Sequence, residues 1–331
     1  MSADAVRIAL EPASDDLRAA YLRFGLDRAA SGAAGLDWSF GDAPFAVARL
    51  GGRVVGLSAY QPRRIALGAA EGRAFQAVDS YVDAAARGQG VFRRLADAFQ
   101  AGAAGLGADV VWGLPNENAA PHWFGRGGWT DLGALPFVVR PLRASMLRRR
   151  LLGGPPPPDH PAPGAPPDAA VLGDWLDAAW DRFRGGARGA AVAIRRDGAA
   201  LRRRLLDGPD AASYRAWADP GDDGALVVTR TLARHGARIC YVMEALGGRR
   251  LHGPLRAALA AARADGAEVA LAWCPVHAPN RPTLRRAGFV TLPERLRPTR
   301  IRLGARAASD RGRIAEGAGA WYLSYLDSDV L

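Results

Sequence analysis

The chain has 331 residues, of which 49% are hydrophobic and 23% are charged, and its formal net charge is +11. Such a composition excludes a disordered chain and is typical of a soluble globular protein large enough for two domains. All 44 basic residues are arginine, which indicates a compositional bias of the source. We therefore interpret the charge first as solvated surface arginine, with attraction to an acidic ligand or an acidic carrier as the alternative, and we do not expect a nucleic-acid partner.

The sequence shows no targeting or metal-binding pattern. It has no apolar stretch of signal-peptide length at the N-terminus and no run of about 18 uninterrupted apolar residues, which predicts a cytoplasmic protein with no membrane partner. Cys240 and Cys274 lie in apolar segments without a CxxC or His-rich neighbourhood. We predict two reduced core cysteines and no metal site.

The first half begins with a helix and a hairpin. Ser14 or Asp15 is a suitable cap for a helix to about Asp27, and a Gly-Gly turn at 51–52 joins the predicted strands 45–50 and 54–63. The remaining predicted elements of this half are strand 75–82, turn 83–90, helix 91–105, strand 109–114, short helix 119–126 and strand 129–140.

Residues 77–95, AVDSYVDAAARGQGVFRRL, contain the clearest motif of the chain. A β-branched run is followed by a glycine turn and then by an amphipathic helix. Gly88 and Gly90 allow a ligand to approach the backbone, and the helix that follows presents unpaired N–H groups to an anion. The order of strand, glycine turn and helix predicts a pyrophosphate-binding site.

A proline-rich segment divides the chain near its middle. Residues 151–170 include Pro155–Pro158 and four further prolines, so this segment is expected to be an extended, semi-rigid linker. We therefore predict a domain at 1–150, a linker at 151–170 and a second domain at 171–331.

The two halves share landmarks at a spacing of 160 residues. The aligned pairs are Tyr81-Val82 with Tyr241-Val242, Leu95 with Leu255, Pro115 with Pro275, and Gly128-Trp129 with Gly288-Phe289. Strands at 237–246, 268–273 and 289–303 and helices at 251–264 and 279–286 are predicted accordingly. Opposite Asp79 stands Ile239, and Gly247-Gly248-Arg249-Arg250 stands opposite the glycine turn. The second copy is therefore predicted to be a degenerate domain that shapes the acceptor site or contributes to domain packing.

These motifs resemble the GCN5-related N-acetyltransferase family. Arg87-Gly88-Gln89-Gly90-Val91-Phe92 is similar to its acyl-CoA motif, although Phe92 stands where the family has a small residue, and Pro115–Trp129 resembles its next motif. The resemblance covers residues 5–145 and, more weakly, 190–303. It implies an α/β protein of two tandem domains, each a twisted, mixed, mostly antiparallel sheet flanked by helices.

The resemblance also implies the acyl donor and the residues that hold it. The donor is acetyl-CoA or a longer acyl-CoA, with the pantetheine on the exposed amides of the strand at 75–82 and with no metal. The implied cofactor-binding residues are Tyr81, Val82, Arg87, Gly88, Gln89, Gly90, Val91, Phe92, Arg93 and Asn118.

The implied chemistry is direct attack of an amine on the thioester, assisted by a base and an acid. Asp79 is the first candidate for the base, because strand alternation puts Asp79, Tyr81 and Asp83 on one face and Val78, Ser80 and Val82 on the other. Glu117 and His122 are the other candidates. Many family members have a tyrosine acid where this chain has Phe124, so Tyr81, His122 or a water is the alternative acid.

The predicted function is an acyl-CoA-dependent N-acyltransferase that acts on a primary amine. Candidate acceptors are an amino sugar, a specialised metabolite, or a lysine or ornithine side chain of a peptide. Two alternatives stay open: a non-catalytic acyl-CoA sensor or assembly protein, and a FemX-like transferase that uses aminoacyl-tRNA. The C-terminal WYLSYLDSDVL is interpreted as a final strand, or else as a segment that places Asp327 and Asp329 near a cationic acceptor.

Overall fold

The computed structural model describes residues 5–26, 32–145, 171–185, 191–221, 223–297 and 299–328. The predicted linker at 151–170 and Asp329 lie outside the described residues. No helix among the described residues is long and apolar enough to cross a membrane.

The strands of these residues, in chain order, are β1 (Arg7–Glu11), β2 (Phe45–Leu50), β3 (Arg53–Leu67), β4 (Ala70–Val82), β5 (Val110–Gly113), β6 (Thr130–Ala134), β7 (Phe137–Pro141), β8 (Val192–Ile194), β9 (Tyr214–Asp219), β10 (Ala225–Arg234), β11 (Ala237–Leu246), β12 (Val269–Trp273), β13 (Val290–Thr291), β14 (Arg302–Ala307) and β15 (Trp321–Tyr322).

The α-helices, in chain order, are α1 (Asp15–Arg23), α2 (Gly32–Phe40), α3 (Val91–Ala103), α4 (Trp175–Gly185), α5 (Gly198–Leu205), α6 (His252–Ala264) and α7 (Arg281–Arg286). The predicted start of α1 is confirmed, since the Ser14 side chain caps it by accepting from the Leu17 N–H at 3.3 Å. The helix ends at Arg23, four residues before the predicted end at Asp27, which lies outside the described residues.

The chain forms two compact units. The first comprises residues 1–134 and 301–318, and the second comprises residues 135–300 and 319–329. They therefore differ from the expected continuous ranges 1–150 and 171–331, because each half of the sequence gives a strand to the sheet of the other unit. The expected single strand at 129–140 is wrong: it breaks at Leu135–Pro136 into β6 and β7, which belong to different sheets.

The sheet of the first unit has the strand order β1-β2-β3-β4-β5-β14-β6, in which β4 and β5 are parallel and the other pairs are antiparallel. Alternate residues of β2 enter different hydrophobic clusters: Ala46 and Ala48 pack with α3, whereas Phe45 and Val47 pack with α1 and α2. This alternation places helices against both faces of the sheet.

Asp109 attaches the turn that follows β14 to the first sheet. Its carboxylate accepts hydrogen bonds from the Ser309 hydroxyl at 2.7 Å, the Arg311 guanidinium at 3.0 Å and the Arg73 N–H at 3.1 Å. Burial raises the pKa of Asp109, but these donors outweigh burial and hold it below its usual value. A β-carbon at Gly312 would lie 1.8 Å from the Asp109 carbonyl oxygen, so only glycine fits there.

The second unit has the strand order β13-β7-β12-β11-β10-β9, with β11 and β12 parallel and the other pairs antiparallel. The expected strand at 289–303 is also wrong, because β13 ends at Thr291 and β14 begins at Arg302. Cys240 and Cys274 are buried and free, as predicted. Burial raises the pKa of Cys240 to about 12 and that of Cys274 to about 11, so neither is a thiolate at neutral pH.

A buried charge network ties the C-terminal segment into the second unit. Arg196 Nε lies 2.7 Å from Glu244, and the same guanidinium pairs with Asp327. The exposed fractions of these three side chains are 1%, 0% and 3%. Tyr322 donates to Glu244 at 2.5 Å and Ser324 donates to it at 2.9 Å. Asp327 thus meets a cation of its own chain, and β15 joins β8 as a short parallel strand.

Candidate functional site

Strands β4 and β5 separate at the end of the first sheet. Their parallel pairing stops at Ala77 and Gly113, whereas β4 continues to Val82 alongside β3. The Asp83 N–H donates to the Val55 carbonyl of β3 at 2.8 Å. Because N–H directions alternate along a strand, the peptide groups of Val82 face away from β3, into the gap beside β5.

A β-bulge redirects the side chains just before this open end. The register of β3 and β4 shifts once, and β4 carries the extra residue, so that Val78 and Asp79 both lie opposite Ala59. Val78 packs in the same hydrophobic cluster as Tyr81. The predicted placement of Val78 on the opposite face from Asp79 and Tyr81 is therefore wrong, because strict alternation fails at a bulge.

Asp79 is half-buried and contacts a residue that the sequence did not indicate. The Tyr21 hydroxyl, on α1, donates to Asp79 Oδ2. Tyr21 is 1% exposed, and its ring packs edge-on against Phe40 and Phe45, with centroids 6.0 and 6.5 Å away. No local pattern predicts a contact between residues 58 positions apart; the only available signal was the aromatic position on the buried face of a capped helix.

Tyr81 and Arg87 meet at the end of β4. The Tyr81 ring stacks on Phe24 at 4.3 Å between centroids, and the Arg87 guanidinium carbon lies 5.8 Å from the Tyr81 ring centre. Arg87 Nε also donates to the Val82 carbonyl at 3.0 Å. Three of the predicted cofactor-binding residues are therefore brought together by direct contacts.

The predicted glycine turn leads directly into α3. Gly88 and Gly90 have φ angles of 76° and 69°, and a β-carbon at either position would meet no atom within 4 Å. Gly90 is the N-cap residue of α3, and no side chain caps the helix. The first N–H groups of α3, from Val91 to Arg93, therefore have no side-chain cap, which is a condition for an anion site at a helix start.

Gln89 and Arg93 contact their own segments beside this turn. The Gln89 side chain is placed to donate to the Ala85 carbonyl at 3.4 Å, and Arg93 pairs with Asp97 at 3.3 Å. Both Gln89 and Arg93 are exposed. Their side chains can therefore reach an anion at the start of α3 without unpacking the core.

Phe92 and His122 form an aromatic contact near the start of α3. Their ring centroids are 5.5 Å apart, and Phe92 also meets Trp123 at 5.4 Å. His122 is exposed and begins a π-helical turn, His122–Arg126. Phe124, in the same turn, packs so closely on β14 that a β-carbon at Gly304 would lie 2.5 Å from its ring.

The loop after β5 is held by Asn116. Its side-chain oxygen accepts from the N–H groups of Asn118 and Ala119 at 3.1 and 3.0 Å. Glu117 and Asn118 are both exposed. Asn116 was overlooked in the sequence, although an asparagine before a short helix is a common cap.

The corresponding strand end in the second unit is filled by its own side chains. The pairing of β11 and β12 ends at Tyr241 and Leu271. Beyond it, the Ala245 N–H donates to Glu244 Oε1 at 2.8 Å, and the Ala245 carbonyl accepts from Asn280 Nδ2 at 2.8 Å.

The turn that follows is also shorter in the second unit than in the first. It has five residues, 247–251, compared with eight at 83–90. Pro254 lies in the first turn of α6, and proline has no N–H to offer an anion. Neither the strand end nor the turn of the second unit resembles the open site of the first.

No protein-family model matches the sequence, and no curated protein matches it. Solved structures do match. A GCN5-related N-acetyltransferase from Anabaena variabilis superposes with a TM-score of 0.63 at 11% identity, over 92% of this chain and 73% of that chain. Eis1 from Mycobacterium abscessus does so with a TM-score of 0.56 at 16% identity, over 91% and 74% of the two chains. The protein has the fold of the GCN5-related N-acetyltransferases.

This N-acetyltransferase fold confirms the resemblance found in the sequence and the predicted class of mixed sheets flanked by helices. Yeast N-myristoyltransferase, solved with bound myristoyl-CoA, also matches, with a TM-score of 0.54 at 10% identity over 93% of this chain and 79% of that chain. Among the described residues, no group of three or more His, Cys, Asp or Glu could hold a metal ion.

Proposed function

We propose that this protein transfers an acyl group from acyl-CoA to a primary amine, with the site in the first unit. One observation carries the proposal: the uncapped start of α3, preceded by Gly88 and Gly90, adjoins the open end of β4 where the Val82 peptide faces outward. A pyrophosphate and a peptide-like chain are the two parts of coenzyme A that such groups bind.

The residues of the first unit fit the donor. The N–H groups at the start of α3 suit the pyrophosphate, with the exposed Arg87, Gln89 and Arg93 around it. The Val82 peptide suits the pantetheine arm, whereas the alternation that turns Val82 outward turns the Tyr81 N–H toward β3. Asn118 is exposed at the loop after β5 and stays a proposed contact of the same arm.

Asp79 is the proposed general base. The bulge turns its carboxylate away from the α3 face of the sheet and toward α1. There the carboxylate accepts the proton that the amine nitrogen loses as the new C–N bond forms and the C–S bond breaks. Glu117 and His122 are exposed and remain the alternative bases.

Acid catalysis by a tyrosine at the usual position is excluded by Phe124, which has no hydroxyl. We therefore propose that the thiolate leaves without a dedicated acid and takes its proton from water, with Tyr81 and His122 as the alternatives. An amino sugar, a specialised metabolite, or a lysine or ornithine side chain of a peptide is the proposed acceptor.

The experiment that tests this function is product analysis by mass spectrometry. The protein is incubated with a panel of acyl-CoAs and a pooled library of primary amines, and free CoA thiol is measured in parallel. A new amide together with an equivalent of CoA supports the proposal. Binding of acyl-CoA without any product would instead favour the acyl-CoA sensor, and absence of binding would exclude both.

The glycine turn with Gly88 and Gly90 gives a prediction for the affinity of the protein for acyl-CoA. Gly90→Ala places a β-carbon in the open space at the start of α3, so we expect the Kd for acyl-CoA to rise about tenfold or more, which corresponds to about 1.4 kcal/mol. Gly107→Ala is the matched control, since Gly107 has a φ of 73° and equally open surroundings beyond the other end of α3. An equal loss of affinity in both variants, measured by calorimetry, would contradict the proposed binding of the pyrophosphate beside Gly90.

The second unit gives a prediction for stoichiometry. Because the Ala245 peptide is hydrogen-bonded to Glu244 and Asn280, we expect calorimetric titration to give one acyl-CoA per chain. Two equivalent sites would contradict the proposed degeneracy of the second copy.

A further inference from the structure

The Tyr21 side chain is hydrogen-bonded to the proposed base Asp79. The elements around Tyr21 leave its ring little freedom. The Ser14 cap fixes the start of α1, and Arg18 pairs with Asp37 of α2 at 2.6 Å. Near the other end of α1, Arg23 donates to the Val54 carbonyl of β3 at 2.8 Å. The helix that carries Tyr21 is therefore tied to both of its neighbours.

The environment of the hydroxyl favours one role. Tyr21 is 1% exposed, and its ring is enclosed by Phe40 and Phe45. Its hydroxyl reaches out of this apolar enclosure to Asp79 Oδ2. A hydroxyl donor whose own ring is held by packing fixes the rotamer of the carboxylate that accepts its hydrogen bond.

We propose that Tyr21 is the positioning residue for Asp79: its hydroxyl holds the carboxylate in one orientation at the open end of β4. Tyr21 acts through Asp79 and transfers no proton to either substrate. This inference rests on the proposed function, because it assigns Tyr21 a part in the same acyl transfer.

Other charged groups lie on the elements around the pair. They include Arg18 and Arg23 on α1, Asp37 on α2, Arg53 on β3, Asp83 directly after β4, and Arg87 in the glycine turn. Arg18 pairs with Asp37, Arg53 lies 3.4 Å from Asp83, and Arg87 donates to the Val82 carbonyl. Tyr21→Phe removes one hydroxyl and none of these groups, so a change in kcat is attributable to the lost hydrogen bond.

The test is the steady-state kinetics of Tyr21→Phe with acyl-CoA and an accepted amine. We expect kcat to fall about tenfold, the order expected for the loss of one hydrogen bond to a charged group. KM for acyl-CoA stays unchanged, because Tyr21 does not contact the donor. Tyr214→Phe is the matched control, because Tyr214 of the second unit is also 1% exposed; its kcat stays that of the parent.

A double-mutant cycle with Asp79→Asn separates the possible outcomes. If Tyr21 acts through Asp79, Tyr21→Phe has no further effect once Asp79 is replaced by Asn. An unchanged kcat in Tyr21→Phe, or additive losses in the double variant, would overturn the positioning role. A loss that appears only in KM for acyl-CoA would also overturn it.

Failure of the proposed function gives a different result. In that case neither acyl transfer nor acyl-CoA binding is detected in the parent protein. If the parent is active but Asp79→Asn keeps full activity, the base is wrongly assigned, and the positioning role is overturned with it. Thermal unfolding of Tyr21→Phe checks that the variant keeps its fold, which retention of the ring favours.

Discussion

Asp79→Asn is expected to lower kcat about 10²- to 10⁴-fold while leaving the Kd for acyl-CoA unchanged. This range is the usual contribution of general acid–base catalysis. Asparagine has nearly the same size and still accepts a hydrogen bond from Tyr21, so the variant removes the proton acceptor and little else. Steady-state release of CoA thiol and calorimetry with acyl-CoA measure the two quantities.

Three further variants make this result specific. Glu117→Gln and His122→Ala remove the alternative bases, and Asp15→Asn is a control on the exposed first turn of α1. We expect that none of these three variants lowers kcat to the extent that Asp79→Asn does. A large loss in Glu117→Gln or His122→Ala, with Asp79→Asn active, would reassign the base to that residue.

Arg196→Ala is expected to lower the free energy of unfolding of the second unit by about 3–5 kcal/mol. The substitution leaves Glu244 and Asp327 buried without their cation, and removal of one partner from a buried pair costs about this much. Urea or thermal unfolding followed by circular dichroism measures the change.

The control for this prediction is Arg182→Ala. Arg182 and Asp223 lie 3.6 Å apart and are 49% and 57% exposed, so the loss is expected to be below about 1 kcal/mol. A second variant combines Arg196→Met with Glu244→Gln and Asp327→Asn, and it should regain stability relative to Arg196→Ala because no uncompensated charge is left. Equal losses in Arg196→Ala and Arg182→Ala would contradict a structural role for the network.

Much of the first unit followed from its sequence because the decisive signals were local. Ser14 caps the helix that begins at Asp15, and residues 83–90 form the turn before α3. Gly88 and Gly90 adopt the positive φ angles for which glycine was singled out. In each case the conformation depends on neighbours within a few positions.

The wrong predictions concern the pairing of strands and the places where the alternation of side chains along a strand is interrupted. Residues 129–140 and 289–303 were each predicted to be a single strand, yet each breaks in the structure. A strand pattern specifies alternation and burial but not which sheet edge is available. The bulge at Val78–Asp79 was equally invisible, because an extra residue is defined only against the opposite strand.

The sequence by itself determined the glycine turn before the helix that begins at Val91, the resemblance to an N-acetyltransferase, and the absence of a tyrosine hydroxyl at Phe124. Each is a property of residue type within one short segment. Only the tertiary structure decided that Tyr21 holds Asp79, that Asn280 and Glu244 occupy the strand end in the second unit, and that the halves exchange strands. The physical reason is that these contacts join residues far apart in the chain, and packing of the whole domain, not local preference, brings them together.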